Sequence, residues 1–191
     1  MSRRPLVLAS ASPRRLDLLA QIGIVPDRVL APEVDETPDR DELPRAYVKR
    51  LARAKAAAVS APGCLVLAAD TVVAAGRRIL PKADTEADAR CCLTLLSGRR
   101  HRVLTAVVLT APDRRASERL VTSIVAFARL TAPQIEAYLA TGEWHGKAGG
   151  YAIQGSAAAF VRFLSGSYSN VVGLPLFETA QLLRGADWLH P

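Results

Sequence analysis

Apolar residues come in short blocks whose spacing changes along the chain. Leu6-Val7-Leu8-Ala9 is a continuous apolar block, the pattern of a strand covered on both faces. After the small-residue turn Ser10-Ala11-Ser12, the pattern predicts a helix from Pro13 to about Ile22. Ser12 suits the N-cap, Pro13 the first helical position and Gly23 the stop, with Leu16, Leu19 and Ala20 as the apolar stripe. Residues 27–43 are rich in acid and proline and read as an extended segment and loop. A second helix is predicted over Pro44–Val59, with Tyr47, Leu51, Ala54 and Ala58 on one face and Lys49, Arg50, Arg53 and Lys55 in other directions. Leu65–Ala69 reads as a buried strand, and Val72–Ala75, Gly76 and Arg77–Leu80 as a hairpin beyond it. A helix over Thr85–Leu96, strands over 103–110 and 119–129, and a helix over Pro133–Ala140 follow. The glycine-rich stretch 146–155 has no regular period; a strand at 158–164, a loop at Ser165–Asn170 and a helix at 175–184 complete the chain. Helices interleaved with strands make the fold α/β, with antiparallel pairing in the middle.

The 191 residues suit one domain, 1–191, and the 50% hydrophobic content excludes general disorder. No apolar run reaches membrane-spanning length and the start lacks the pattern of a leader, so a soluble chain is expected. Three cysteines, one of them necessarily unpaired, point to buried thiols in a reducing, cytoplasmic compartment. The net charge of +7 attracts polyanions, and is locally dense at Arg3-Arg4, Arg14-Arg15 and Arg99–Arg102. There is no basic tail, aromatic RNA-binding strand or zinc-finger spacing, so nucleic acid is not the expected partner. His101, His145 and His190 share no metal spacing; His101 is expected to hydrogen-bond within a loop and His190 to fray.

Three segments carry candidate chemistry. The strand–Ser10-Ala11-Ser12–Pro13-Arg14-Arg15–helix unit places free backbone N–H groups and the positive dipole end at a turn, a ready anion site. Two arginines in that first turn oppose the dipole, and an arriving phosphate chain would resolve the conflict. Asp70, at the end of an apolar strand, is placed to hold a divalent metal or to accept a proton from water. Asp35, Glu36, Lys55 and Lys82 supply further oxygen ligands and compact cations. Gly146–Gly155 contains four glycines, suggesting close backbone approach to something flat or charged, and Gln154 there offers both a donor and an acceptor to a base edge.

In this order the segments resemble the Maf family of nucleotide pyrophosphatases. The likeness runs from Leu6 to about Leu183. It is carried by Leu8–Arg15, Asp35-Glu36, Ala54-Lys55-Ala56, Ala69–Val73, Lys82, Leu96–His101, Thr105–Val107, Lys147–Gly155 and Gly173-Leu174-Pro175. The resemblance implies a two-lobed, inosine-triphosphatase-like α/β fold, a mixed sheet flanked by helices with a cleft between lobes, and a homodimer. It also implies cleavage between the α- and β-phosphates assisted by a divalent cation such as magnesium or manganese. On the matching positions, Ser10, Arg14 and Arg15 would hold phosphate, Glu36 the metal, and Lys55 and Lys82 the triphosphate charge. Asp70 would be the catalytic acceptor, a metal ligand, or both. Arg14, Thr71 and Gln154 match positions of substrate choice, and the Ile-Gln-Gly form resembles the branch acting on dTTP, UTP and modified pyrimidine nucleotides. The alternatives are a broader or 7-methyl-GTP-directed pyrophosphatase, and a non-enzymatic nucleotide-binding regulator of septum formation.

Overall fold

The computed structural model describes residues 4–189; Arg3 and His190 lie outside the described residues. Its strands are β1 (Leu6–Ala9), β2 (Arg28–Leu30), β3 (Leu65–Ala75), β4 (Arg78–Leu80), β5 (Lys82–Ala83), β6 (Arg100–Thr110), β7 (Ala116–Phe127), β8 (Lys147–Ala148) and β9 (Val161–Ser165). The helices are α1 (Pro13–Gln21), α2 (Pro44–Ala58), α3 (Glu86–Leu96), α4 (Ala132–Leu139), α5 (Tyr168–Val172) and α6 (Leu176–Gly185). The main sheet is mixed and runs β2-β1-β3-β6-β7-β9, with β4 added to β3, while β5 and β8 form a separate ribbon. β1 is parallel to both its neighbours; β3, β6, β7 and β9 pair antiparallel. The expected mixed sheet with flanking helices is therefore present.

Alternation along the strands builds three layers. Leu6, Leu8, Leu67, Val73, Val107 and Phe127 face one core, with Leu18, Leu93, Tyr138 and Leu183 from α1, α3, α4 and α6. Val7, Ala9, Val66, Ala68, Val72 and Val108 face the other, with Val48 and Ala52 from α2. At roughly 1.5–3 kcal/mol for each fully buried large apolar side chain, these two faces supply the main driving force for folding. After Pro44, the buried residues of α2 are Val48, Leu51, Ala52, Lys55 and Ala56, the i, i+3, i+4, i+7, i+8 stripe of an amphipathic helix. Lys55 thus lies on the buried face rather than away from it with Lys49, Arg50 and Arg53. In α1 the inward residues are Arg15, Leu18 and Leu19, and Leu16 is exposed instead.

β3 does not end before Asp70. It pairs with β6 without interruption from Val66↔Thr110 to Ala74↔Arg102, and this ladder overrides the turn preference of Asp. On the other edge β1 pairs only as far as Ala68, and β4 begins at Val73. Positions 69–72 therefore have β6 on one side and no strand on the other, which leaves a notch in the sheet.

Further differences from the sequence reading are local. Ser156–Phe160 is a 3-10 turn before β9, and α5 occupies part of the expected loop at 165–170. Gly149 and Gly150 have φ of +70° and +67°, and a Cβ there would lie 2.9 Å from Val73 Cγ1 and 3.0 Å from Ala89 Cα. Their close approach is to the core, not to a ligand.

His101 is in β6, buried, rather than in a loop. Its Nε2 is 2.8 Å from the Tyr151 hydroxyl, and its ring meets Phe127 edge-on at 5.1 Å. Its Nδ1 has no partner among the described residues. Burial lowers its pKa from 6.5 to about 4. Because the folded pKa lies below the unfolded one, the neutral ring's contribution is complete above pH 6.5 and is lost as pH falls towards 4. The loss approaches about 3 kcal/mol. In thermal melts at pH 7 and pH 4.5, wild type should lose more stability on acidification than His101→Gln; equal losses would contradict this.

Candidate active site

The turn from β1 into α1 faces the notch. Ser12 takes the extended conformation that a following proline favours, but its side chain makes no cap bond. Instead its N–H donates to Ser10 Oγ at 3.1 Å. Ser10 Oγ also accepts from Arg15 at 3.1 Å. The same buried guanidinium donates through Nε to the Gly173 carbonyl at 2.9 Å and through Nη2 to Thr71 Oγ1 at 3.4 Å. Burial lowers the Arg15 pKa, and the charge of Asp70 partly opposes that effect. Thr71 Oγ1 is 2.9 Å from Thr105 Oγ1, which in turn donates to the Asn170 carbonyl at 3.1 Å. Arg15 is thus clamped by β1, β3 and the segment after α5, with N–H groups left over for a ligand.

Successive residues of β3 point to opposite faces, so Thr71 meets α1 while Asp70 meets α2. Lys55 reaches from the buried stripe of α2 to both acids, with Nζ 2.5 Å from Asp70 Oδ1 and 2.7 Å from Glu36 Oε1. Glu36 comes from the loop between β2 and α2, where its carbonyl accepts from the Tyr47 hydroxyl at 2.8 Å. Its second carboxylate oxygen is bound by Lys82 of β5. Partial burial alone would raise the Glu36 pKa, but the hydrogen bonds and charges of Lys55 and Lys82 outweigh it and hold it below the ordinary value. Asp35 is not part of this group; its Oδ1 accepts from Thr37 N at 2.8 Å in an exposed turn.

All nine predicted residues, Ser10, Arg14, Arg15, Glu36, Lys55, Asp70, Thr71, Lys82 and Gln154, line one cleft of about 430 Å³. Sequence reasoning missed Lys147, Pro32 and Gly173 as lining residues. Lys147 was visible as a cation within a glycine-rich block, whereas the Gly173 carbonyl has no side-chain signal.

A family model described as Maf-like protein matches residues 5–186. The chain belongs to the Maf family. A Rhodospirillum rubrum Maf relative, named dTTP/UTP pyrophosphatase, is 64% identical over 189 residues, spanning 98% of this chain and 90% of that one. Relatives of the same name from Paramagnetospirillum magneticum and Caulobacter vibrioides are 65% and 62% identical, covering 94% and 96% of this chain and 96% of each relative. Among solved structures, the Staphylococcus aureus Ham1 protein is a partial likeness, with a TM-score of 0.44 at 20% identity over 65% of this chain and 72% of that one.

One wall of the Maf cleft is the loop Tyr151–Gln154, and three contacts fix its course. Tyr151 is held by His101, Ala152 N donates to the Tyr138 hydroxyl at 3.0 Å, and Glu143 Oε2 accepts from Ser156 N at 2.8 Å. A Cβ at Gly155 would fall 2.1 Å from that Glu143 oxygen, so a larger residue there would displace the carboxylate from Ser156. Tyr151, Ala152 and Ile153 are buried while Gln154 is exposed and lines the cleft, its amide without a hydrogen-bond partner among the described residues. Among the described residues, no three His, Cys, Asp or Glu side chains group as a metal cage, and no helix is long and apolar enough to cross a membrane.

Proposed function

We propose that this Maf protein is a hydrolase of nucleoside triphosphates that cuts the α–β anhydride of dTTP and UTP, releasing monophosphate and pyrophosphate as a house-cleaning activity. The observation that carries the reading is the convergence of Asp70 and Glu36 on Lys55 inside a cleft otherwise rich in positive charge. Two carboxylates suit a cation bound by few protein ligands that completes its shell with water and phosphate oxygens, as magnesium does. Glu36 and Asp70 would hold it, and when bound it would polarise phosphate oxygens. Asp70, beside Lys55, takes the proton of the attacking water. Arg14 and Arg15 hold and orient phosphate oxygens, and Lys55 and Lys82 stabilise the charge that grows on the leaving pyrophosphate. Gln154 pairs with the base edge, where uracil and thymine set an acceptor oxygen beside an N–H donor.

The chain acts as one domain, in the cytoplasm and as a homodimer, in this reading. Cys64, Cys91 and Cys92 are all free thiols, which fits a reducing compartment. Sedimentation at micromolar concentration tests the dimer.

The test of function is a panel of ordinary and modified triphosphates with magnesium or manganese, reading monophosphate and pyrophosphate separately. Equimolar products from dTTP and UTP, and little turnover of purine triphosphates, are expected. Gln154→Ala should narrow that preference by about 1–3 kcal/mol, a ratio of roughly 5- to 150-fold. Equal rates on purines and pyrimidines by the wild type would remove the base selection and leave the cleavage chemistry standing.

A further inference from the structure

Apart from Arg15, which is committed to Ser10, Thr71 and Gly173, the cations of the cleft fall into two kinds. Lys55 and Lys82 are already neutralised by Glu36 and Asp70. Arg14 and Lys147 face the same space without an acid within ion-pair distance among the described residues. Among the described residues Lys147 Nζ donates only to the His145 carbonyl, at 2.9 Å. Glu143, the acid whose charge reaches it, is spent on Ser156. The β5–β8 ribbon holds Lys147 in place, pairing it with Ala83 and setting Lys82 opposite Ala148. Burial lowers the Lys147 pKa, and the neighbouring charge of Arg14 lowers it further.

Two like charges held in one cleft repel each other, and a polyanion between them removes that cost. A neutral base would not. With five cations against two carboxylates in the lining, three positive charges are left over for a ligand. Glu36 and Asp70 hold Lys55 and Lys82 beside the scissile anhydride, where charge grows on the bridging oxygen as it breaks, so the surplus suits the phosphates beyond that bond.

We propose that Lys147, together with Arg14, is the subsite for the β- and γ-phosphates that leave as pyrophosphate. The proposal rests on the pyrophosphatase reading above. Lys147 then selects triphosphates over substrates with fewer phosphates and contributes little to holding the nucleoside.

The two products give separate probes. With magnesium present, inhibition by inorganic pyrophosphate should weaken by about tenfold to a hundredfold in Lys147→Met, the size of one charge-assisted hydrogen bond. Inhibition by UMP should not change, and kcat/KM for UTP should fall with pyrophosphate affinity. Lys147→Arg, which keeps the charge, should retain most of the pyrophosphate inhibition. Weakened UMP inhibition with intact pyrophosphate inhibition would place Lys147 at the nucleoside and overturn the proposal, as would no change in either. Calorimetric titration of wild type and variant with magnesium pyrophosphate needs no turnover. Lys147-dependent binding in a protein that hydrolyses no triphosphate would sink the functional reading and keep the subsite. Normal UTP hydrolysis with pyrophosphate binding indifferent to Lys147 would do the reverse.

Discussion

Asp70→Asn is expected to lower UTP turnover by about 10²- to 10⁴-fold, the range for losing a positioned general base. Asn keeps the shape of the side chain and can still accept from Lys55 Nζ, which lies 2.5 Å from Oδ1 in the wild type. It cannot take a proton from water. The fold should survive, so circular dichroism should be native while pyrophosphate release collapses. The metal dependence of the residual rate separates the two roles open to Asp70. If it is chiefly a ligand, raising magnesium or manganese should recover activity in the variant. If it is chiefly the proton acceptor, saturating metal should leave the loss in place. Near-normal pyrophosphate release by Asp70→Asn would take the residue out of the chemistry altogether.

The parts of this site that depend on neighbouring residues were legible in the sequence, and those set by pairing partners were not. The turn from β1 to α1 announces itself through Ser12, Pro13 and Gly23, because capping and proline preferences act within one turn of chain. The sequence around Asp70 signals chemistry but also a strand end, since nothing local shows that β6 continues the ladder beyond it. Lys55 is the more instructive case. It occupies the i+7 position from Val48 and the i+4 position from Leu51, so a stripe drawn through Val48 and Ala52 would have marked it as an inward-facing cation. Such a residue must meet an acid, and Asp70 and Glu36 are the acids. A stripe through Tyr47, Leu51, Ala54 and Ala58 shares Leu51 with the buried face but passes one position before Val48 and one before Lys55. α5, only five residues long, is too short for any period to register, and with it went the clamp that Gly173 places on Arg15.

Lys55→Met should produce the largest loss of stability of any single change in the cleft. The side chain is 8% exposed and Asp70 5% exposed, so their charges are compensated mainly by each other rather than by water. Methionine fills the volume left by the lysine stem, which removes packing as an explanation for the outcome. Glu36 keeps Lys82 as a partner, so the stranded charge is that of Asp70. Breaking one side of a buried pair costs about 3–5 kcal/mol. Arg15, whose charge also reaches Asp70, is committed to Ser10, Thr71 and Gly173 and offsets only part of this. For a chain of this length each kcal/mol shifts Tm by about 2–4 °C, so melting should fall by roughly 6–20 °C. The double variant Lys55→Met, Asp70→Asn has no stranded charge and should melt well above Lys55→Met alone, with a coupling of about 1–3 kcal/mol in the cycle. Its activity should stay as low as that of Asp70→Asn, because restoring stability does not restore the proton acceptor. A Lys55→Met protein melting within a degree of wild type would mean that water reaches Asp70 freely, and the lysine would then serve the triphosphate alone.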